Sequence, residues 1–209
     1  ATFENAAITV NGNVTIAAGV LAANATQAIS VGGNWDNQVG SGAFTESTST
    51  VTLTAALTSA ATTSAETWNN LTINAPGGIV TANSTQTVGA AFTVTAGTLA
   101  LDDQAMTVAG ATDNNGTLTA SSGTFTADGS FDASGTGVIT FTDAGSLVLN
   151  NTVAANGLGA FTRGTSTVTY GSAGAQTVDN VAYHHLTKSG AGTASLEAAT
   201  TAAGNLTVS

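Results

Sequence analysis

Short triplets in which two apolar residues flank a hydroxyl-bearing residue recur along the whole chain. Ile8-Thr9-Val10, Val14-Thr15-Ile16, Ile29-Ser30-Val31, Val51-Thr52-Leu53 and Leu71-Thr72-Ile73 open the series; Phe92-Thr93-Val94, Met106-Thr107-Val108, Ile139-Thr140-Phe141, Val168-Thr169-Tyr170 and Leu206-Thr207-Val208 continue it. On a strand, successive side chains point to opposite faces, so each triplet sends its apolar pair one way and its hydroxyl the other. No stretch spaces apolar residues at helical intervals, and Thr and Gly are poor helix formers. The pattern predicts an all-β protein.

The interval between triplets selects the architecture. Phe92, Leu99 and Met106 are seven residues apart, and Ile139 and Leu147 eight, with Gly, Asp or Asn in most of the gaps. Sandwich strands usually run about five or six residues. Three-residue strands at shorter intervals suit a parallel β-solenoid, or β-helix, whose coils stack on one another. With three faces and about 22 residues per coil, about nine coils give a rod roughly 40–45 Å tall at the strand spacing of about 4.8 Å. Ala and Val are expected inside so narrow a core, with like-on-like Thr and Asn rows along the coils. The competing architecture is an antiparallel β-sandwich or jelly roll. No shift in composition marks a linker, so residues 1–209 read as one repeat domain, and the lone Pro76 marks a turn.

Internal repeats favour stacking. GAFTESTSTVTL at 42–53 matches GAFTRGTSTVTY at 159–170, and Trp68-Asn69-Asn70-Leu71-Thr72 aligns with Tyr183-His184-His185-Leu186-Thr187, a period of 115–117 residues. A second echo relates Val14–Gly19 to Phe92–Gly97, 78 residues on. The periods differ, which suggests related coils reused in varying order. The segments VGGNWDN (31–37), WNNLTINAPGG (68–78), AAFTVTAGTLAL (90–101) and QTV (176–178) resemble the repeat vocabulary of large bacterial surface proteins, the adhesin-like β-solenoids. That resemblance implies an extracellular structural or adhesive role and supplies no catalytic residues.

Composition narrows the function. Ala, Thr, Gly, Ser and Asn supply 139 of 209 residues, charged residues are 7%, and the net charge is −10. A nucleic-acid partner needs a basic footprint, and this charge has the wrong sign. Cysteine is absent, which removes disulfides and thiol ligands. No apolar run is long enough for a membrane-spanning helix. Mean hydropathy is positive at +0.24, against the signature of disorder. The chain opens on Ala1, which reads as a secreted product whose signal peptide has been removed.

Few residues offer chemistry. Asp102, Asp103, Asp113, Asp128 and Asp132 lie in Gly/Asn-rich corners where calcium could find oxygen ligands, although no EF-hand or nonapeptide calcium motif is present and turn chemistry explains them equally. Calcium is the one cofactor in view. The adjacent His184 and His185 align with Asn69 and Asn70, which favours a structural role. Polysaccharide cleavage would need carboxylates near Arg163 or Lys188, the only two basic residues. Thr-X-Thr runs such as Thr124-Phe125-Thr126 and Thr167-Val168-Thr169 would make the flat hydroxyl ranks an ice-binding face uses. Sequons at Asn13, Asn24, Asn70, Asn83, Asn115, Asn150 and Asn205 permit glycosylation.

A solenoid must also close its ends, because an open strand edge recruits neighbours. Neither end reads as a cap. Phe3, Ile8 and Val10 on one side, with Leu206 and Val208 on the other, are expected to carry a head-to-tail contact between copies, which does not close and so grows a filament. The expected function is therefore a structural subunit of a pilus-like extracellular fibre. The alternatives are a surface adhesin stalk that binds glycans or surfaces, an ice-binding protein, and a polysaccharide-active enzyme.

Overall fold

In Val138–Phe141, Ser146–Leu149 and Thr167–Tyr170, buried and half-exposed residues alternate without a break. One set of side chains fills the interior of a rod and the other stands on its surface. The computed structural model describes residues 7–55, 59–62 and 64–209. These residues contain no helix, and their strands stack in parallel as a β-solenoid of about ten coils. The antiparallel alternative fails because each strand pairs with one reached a full coil later, not with its neighbour across a hairpin.

Three faces run the length of the rod. The first stacks Ala7–Val10 on Ala28–Val31 and then Thr50–Leu53, and continues through Leu71, Phe92, Thr112 and Phe131. The second begins with Val14–Ile16 against Trp35–Asn37 and continues higher up through Ile79, Thr98, Thr117, Val138 and Ala160. In the third, Glu66, Gln86, Met106, Phe125, Leu147, Val168, Leu186 and Leu206 form one file. Steps along that file are 18 to 22 residues, which is why about ten coils form where 22-residue coils would give nine. Pro76 and Gly77 (φ +72°) sit at the corner joining the first face to the second, where the strand register shifts.

Large side chains fill the core, contrary to the expectation of a narrow Ala/Val interior. Trp35 packs edge-on against Phe44 at 4.8 Å and Trp68 at 5.0 Å. Phe125 lies 5.9 Å from Phe92 and 6.0 Å from Phe131, and Phe161 bridges Phe141 at 6.2 Å to Tyr183 at 6.1 Å. Three strands around an axis leave a central space that aromatic rings from successive coils share, and such pairs add about 0.5–1.5 kcal/mol beyond their buried area. Small residues are needed at the corners instead. A Cβ on Gly97 (φ +86°) would meet the Ala75 carbonyl oxygen at 2.0 Å, because backbones of successive coils touch there.

The long sequence repeat is real in structure but displaced by one face. Phe44–Thr45 lies on the third face and Thr50–Leu53 on the first, whereas Ala160–Thr162 lies on the second and Thr167–Tyr170 on the third. The same corner joins both pairs: Ser47 has φ +50° where Gly164 has +51°. The Ser49 N–H donates to Glu46 O at 3.0 Å as Ser166 N–H does to Arg163 O at 2.9 Å. Ser49 and Ser166 are both buried, and the Oγ of each lacks a hydrogen-bond partner. The reused unit is thus a corner with its strands, not a coil, and this corrects the expectation of whole coils in varying order.

Candidate functional site

The perturbed titratable groups of this chain lie mostly inside the rod. Glu66 accepts from Trp35 Nε1 at 2.8 Å and from Asn37 Nδ2 at 2.9 Å. Burial pushes its carboxyl above the ordinary glutamate range, while those two bonds pull it back. One coil on, Gln86 occupies the matching place, accepts from Trp68 Nε1 at 2.8 Å and donates to Ser84 O at 2.9 Å. Gln176 does similar work, donating to Leu149 O at 2.9 Å and Asn151 O at 2.7 Å. These side chains satisfy corner carbonyls and indole N–H groups that the stack would otherwise bury unpaired. The QTV segments at 86–88 and 176–178 carry this signal in the sequence.

A second buried network joins Asp179, Tyr170 and Tyr183. The Asp179 Oδ2 accepts from Leu158 N at 2.6 Å, the two phenol oxygens lie 3.0 Å apart, and Tyr183 OH donates to Asp179 O at 2.9 Å. Burial raises the Asp179 carboxyl, pushes Tyr170 up to about 12 and raises Tyr183 further. All three are buried in the core, so the network braces the coils.

The residues expected to offer chemistry are dispersed. Asp113 and Asp132 are register partners on the first face, but Asp102 and Asp103 lie at another corner and Asp128 at a third. Each of four is held by a local hydrogen bond: Asp103 by Ser122 Oγ, Asp113 by Asn115 Nδ2 and Asp128 by Asn150 Nδ2, all at 2.7 Å, and Asp132 by Ser134 N at 2.8 Å. The Ser122 bonds hold the Asp103 carboxyl below its ordinary range. Among the described residues no three His, Asp or Glu side chains converge on one point. The His184 and His185 rings stand perpendicular at 4.4 Å, and His185 Nδ1 accepts from Asn205 N at 3.0 Å. Arg163 donates to Tyr183 O, and the Lys188 ammonium donates to Ser172 O at 3.2 Å and to Ser189 O. The two bases cap corner carbonyls.

Of the sequon residues, Asn13, Asn24, Asn83, Asn115, Asn150 and Asn205 are exposed. Asn70 is half-buried, and its Nδ2 donates to Ser49 O at 3.2 Å and Asn69 Oδ1 at 2.8 Å.

The open surface lies at the C-terminal coil. Its strands Ala194–Leu196, Thr201–Ala202 and Leu206–Val208 each pair on one side only, with Gln176–Val178, Ala182–Tyr183 and His185–Lys188. Leu196 continues the inward file of Val178, and Leu206 that of Leu186, yet they are 61% and 68% exposed, and Val208 is 77% exposed. These residues, with Val178, Leu186 and Lys188, line an apolar hollow of about 400 Å³. Ile8 and Val10, at the opposite end, are half-buried, and Phe3 lies outside the described residues. The hollow is lined by side chains in the same inward files that fill the core lower in the stack.

Comparison with protein-family models, with curated proteins and with solved structures finds no match to this chain. No helix among the described residues is long and apolar enough to cross a membrane.

Proposed function

We infer that this protein is a structural rod that assembles head to tail with copies of itself into an extracellular fibre. The uniform parallel stack supports this reading, and its stacking surface is seen on the coil of residues 194–208. Three strand edges and three inward-type apolar side chains face solvent there, in the same parallel arrangement that every lower coil uses to hold the next. A contact between that end and the opposite end of a second rod is heterologous, so it propagates. A sparsely charged, hydroxyl-rich surface with two trypsin sites suits a durable material outside the cell.

The test is direct. Purified chain, concentrated stepwise and followed by light scattering and negative-stain electron microscopy, should form fibres of uniform width above a threshold concentration. Isolated rods about ten coils long at every concentration would overturn the reading.

A second reading has its own observation. On the third face Thr67, Thr87, Thr107 and Thr126 stack in one rank, Val148 interrupts it, and Thr169, Thr187 and Thr207 resume it. A flat file of hydroxyls at the strand repeat suits contact with an ordered surface, whether a glycan reached by an adhesin stalk or ice. Thermal hysteresis and binding to insoluble polysaccharides, each compared with a Thr107→Val/Thr126→Val variant, separate these from pure assembly.

A further inference from the structure

We propose that a notch in the middle of the rod, at the corner between the first and second faces, binds a short stretch of a neutral glycan. The notch is separate from the third-face threonine rank and from both ends of the stack, so the proposal stands or falls independently of the assembly reading.

The notch arises from the length of chain that turns this corner in successive coils. Thr72, Thr93, Asp113 and Asp132 are register partners on the first face, and Ile79, Thr98, Thr117 and Val138 on the second. Between those fixed points the four coils use six residues (73–78), four (94–97), three (114–116) and five (133–137). Strands stacked in register hold both faces in line, so the longer outer corners stand out and the shorter inner ones are drawn in. Exposure follows this order: Pro76, Gly77, Gly135 and Thr136 are exposed, and a Cβ on Gly77 or Gly135 would meet nothing within 4 Å. A Cβ on Gly116, by contrast, would meet Gly97 O at 2.6 Å, because the two short corners are pressed together. The projecting corners form two lips around a hollow of about 550 Å³, within the range of about 300–1,000 Å³ usual for small-molecule sites. Three coil steps of about 4.8 Å make it roughly 14 Å tall, the length of a di- or trisaccharide.

The lining sets the chemistry. Thr95, Thr98, Thr117 and Thr136 bring hydroxyls, Asn115 brings an amide, and no ionised side chain lines the hollow. Thr136 Oγ1 donates to Asn115 O at 2.9 Å, which ties the upper lip to the floor. Asn115 Nδ2 donates to Asp113 Oδ1 at 2.7 Å, which holds the amide while its Oδ1 makes no bond among the described residues. Ile79 stands at the lower lip and is 45% exposed, an apolar patch in an otherwise polar wall. Hydroxyls and an amide around one apolar patch match a pyranose ring, which carries hydroxyls at its rim and C–H groups on its face.

Charge narrows the class to neutral sugars. The chain carries a net charge of −10, so an acidic glycan is repelled. A cation finds no carboxylate in the lining, and the flanking Asp113 and Asp132 already accept from Asn115 Nδ2 and from Ser134 N.

The test titrates the full chain with cellotriose, maltotriose and triacetylchitotriose, and with trigalacturonic acid as the charged control, by calorimetry and ligand-detected NMR. At least one neutral trisaccharide should saturate a single site, with the acidic trimer about tenfold weaker or worse. Asn115→Leu, at an exposed position, should weaken binding about threefold to tenfold, the worth of one net hydrogen bond. Ile79→Trp should tighten it about threefold or more, because an indole offers the sugar a broader apolar face. The third-face variant Thr107→Val/Thr126→Val should bind like the parent. Absence of binding by all three neutral trimers overturns the proposal, as does equal affinity for the acidic one. Unchanged affinity in both notch variants, or loss of binding in the third-face variant, overturns it equally. Fibre formation by the parent chain is measured separately and is untouched by any of these results.

Discussion

Glu66 is the side chain at which the physics of this rod is most exposed to measurement. Its carboxylate is 2% exposed and serves two buried donors, Trp35 Nε1 and Asn37 Nδ2. Replacement by Ala strands the indole N–H and one amide hydrogen of Asn37, whose Nδ2 keeps its bond to Gly40 O. At about 1–3 kcal/mol for each unpaired buried donor, the cost is about 2–6 kcal/mol before any cavity is counted. For a chain of this size that lowers the melting temperature by roughly 5–20 °C. Replacement by Gln keeps an acceptor oxygen, and the Trp68–Gln86 pair shows that an amide suits an indole N–H in this wall. Glu66→Gln should therefore stay within about 1 kcal/mol of the parent at neutral pH. The two proteins differ in their response to pH. Because the folded carboxyl titrates above its unfolded value, the native state holds the proton longer than the unfolded chain. The contribution of Glu66 to stability is thus full below the unfolded pKa and is lost as pH rises through the folded one. Urea unfolding from pH 4 to 8 should show Glu66→Gln gaining on the parent as pH rises. Parallel pH profiles for the two, or a Glu66→Ala variant as stable as the parent, would refute this account.

Other perturbations follow from the same geometry. Leu206→Asp with Val208→Asp should abolish fibres while shifting monomer unfolding by less than about 0.5 kcal/mol, since both side chains are exposed before assembly; normal fibres from that variant would dismiss the open end as the contact. Ser47→Gly should stabilise by about 0.5 kcal/mol, the relief of a left-handed conformation less the added entropy of the unfolded chain. The reverse exchange is not symmetric, because a Cβ on Gly164 would meet Phe141 O at 2.6 Å and Asp143 O at 2.9 Å. Gly164→Ser should cost at least about 2 kcal/mol, and equal small effects in thermal melts would count against the corner equivalence. Tyr170→Phe removes the hydroxyl shared by Tyr183 OH and Asp179 N, with an expected loss of about 1–2 kcal/mol in chemical denaturation.

The alternation and spacing of the triplets made the fold legible, because a half-buried strand must alternate and a seven-residue interval leaves room for little beyond a strand and a corner. The interior was less legible. Single triplets do not show that Trp35, Phe44 and Trp68 share one central space, since they come from different faces and coils. Coil length varies for a related reason: Trp35 reaches its neighbour Thr62 after 27 residues, while Thr167 reaches His185 after 18. The repeat aligns Asn70 with His185, and the two make the same kind of contact with the next coil. That His185 and Asn70 catch a backbone N–H from the next coil could not be read, since the donor lies about 20 residues away and belongs to no motif.

The parallel ladders have a mechanical consequence. Their hydrogen bonds run along the rod axis, so a pull on the two ends loads them in line and lets them open one coil at a time. The first coil to leave has little to hold it: Ala194–Leu196, Thr201–Ala202 and Leu206–Val208 have a single neighbouring layer, and every one of their side chains is exposed. Extension by force should begin there and proceed inward in steps of about 20 residues, each released coil lengthening the chain by roughly 65–70 Å. Covering that end with another layer removes the weakest step, so the rod resists tension best when it is stacked.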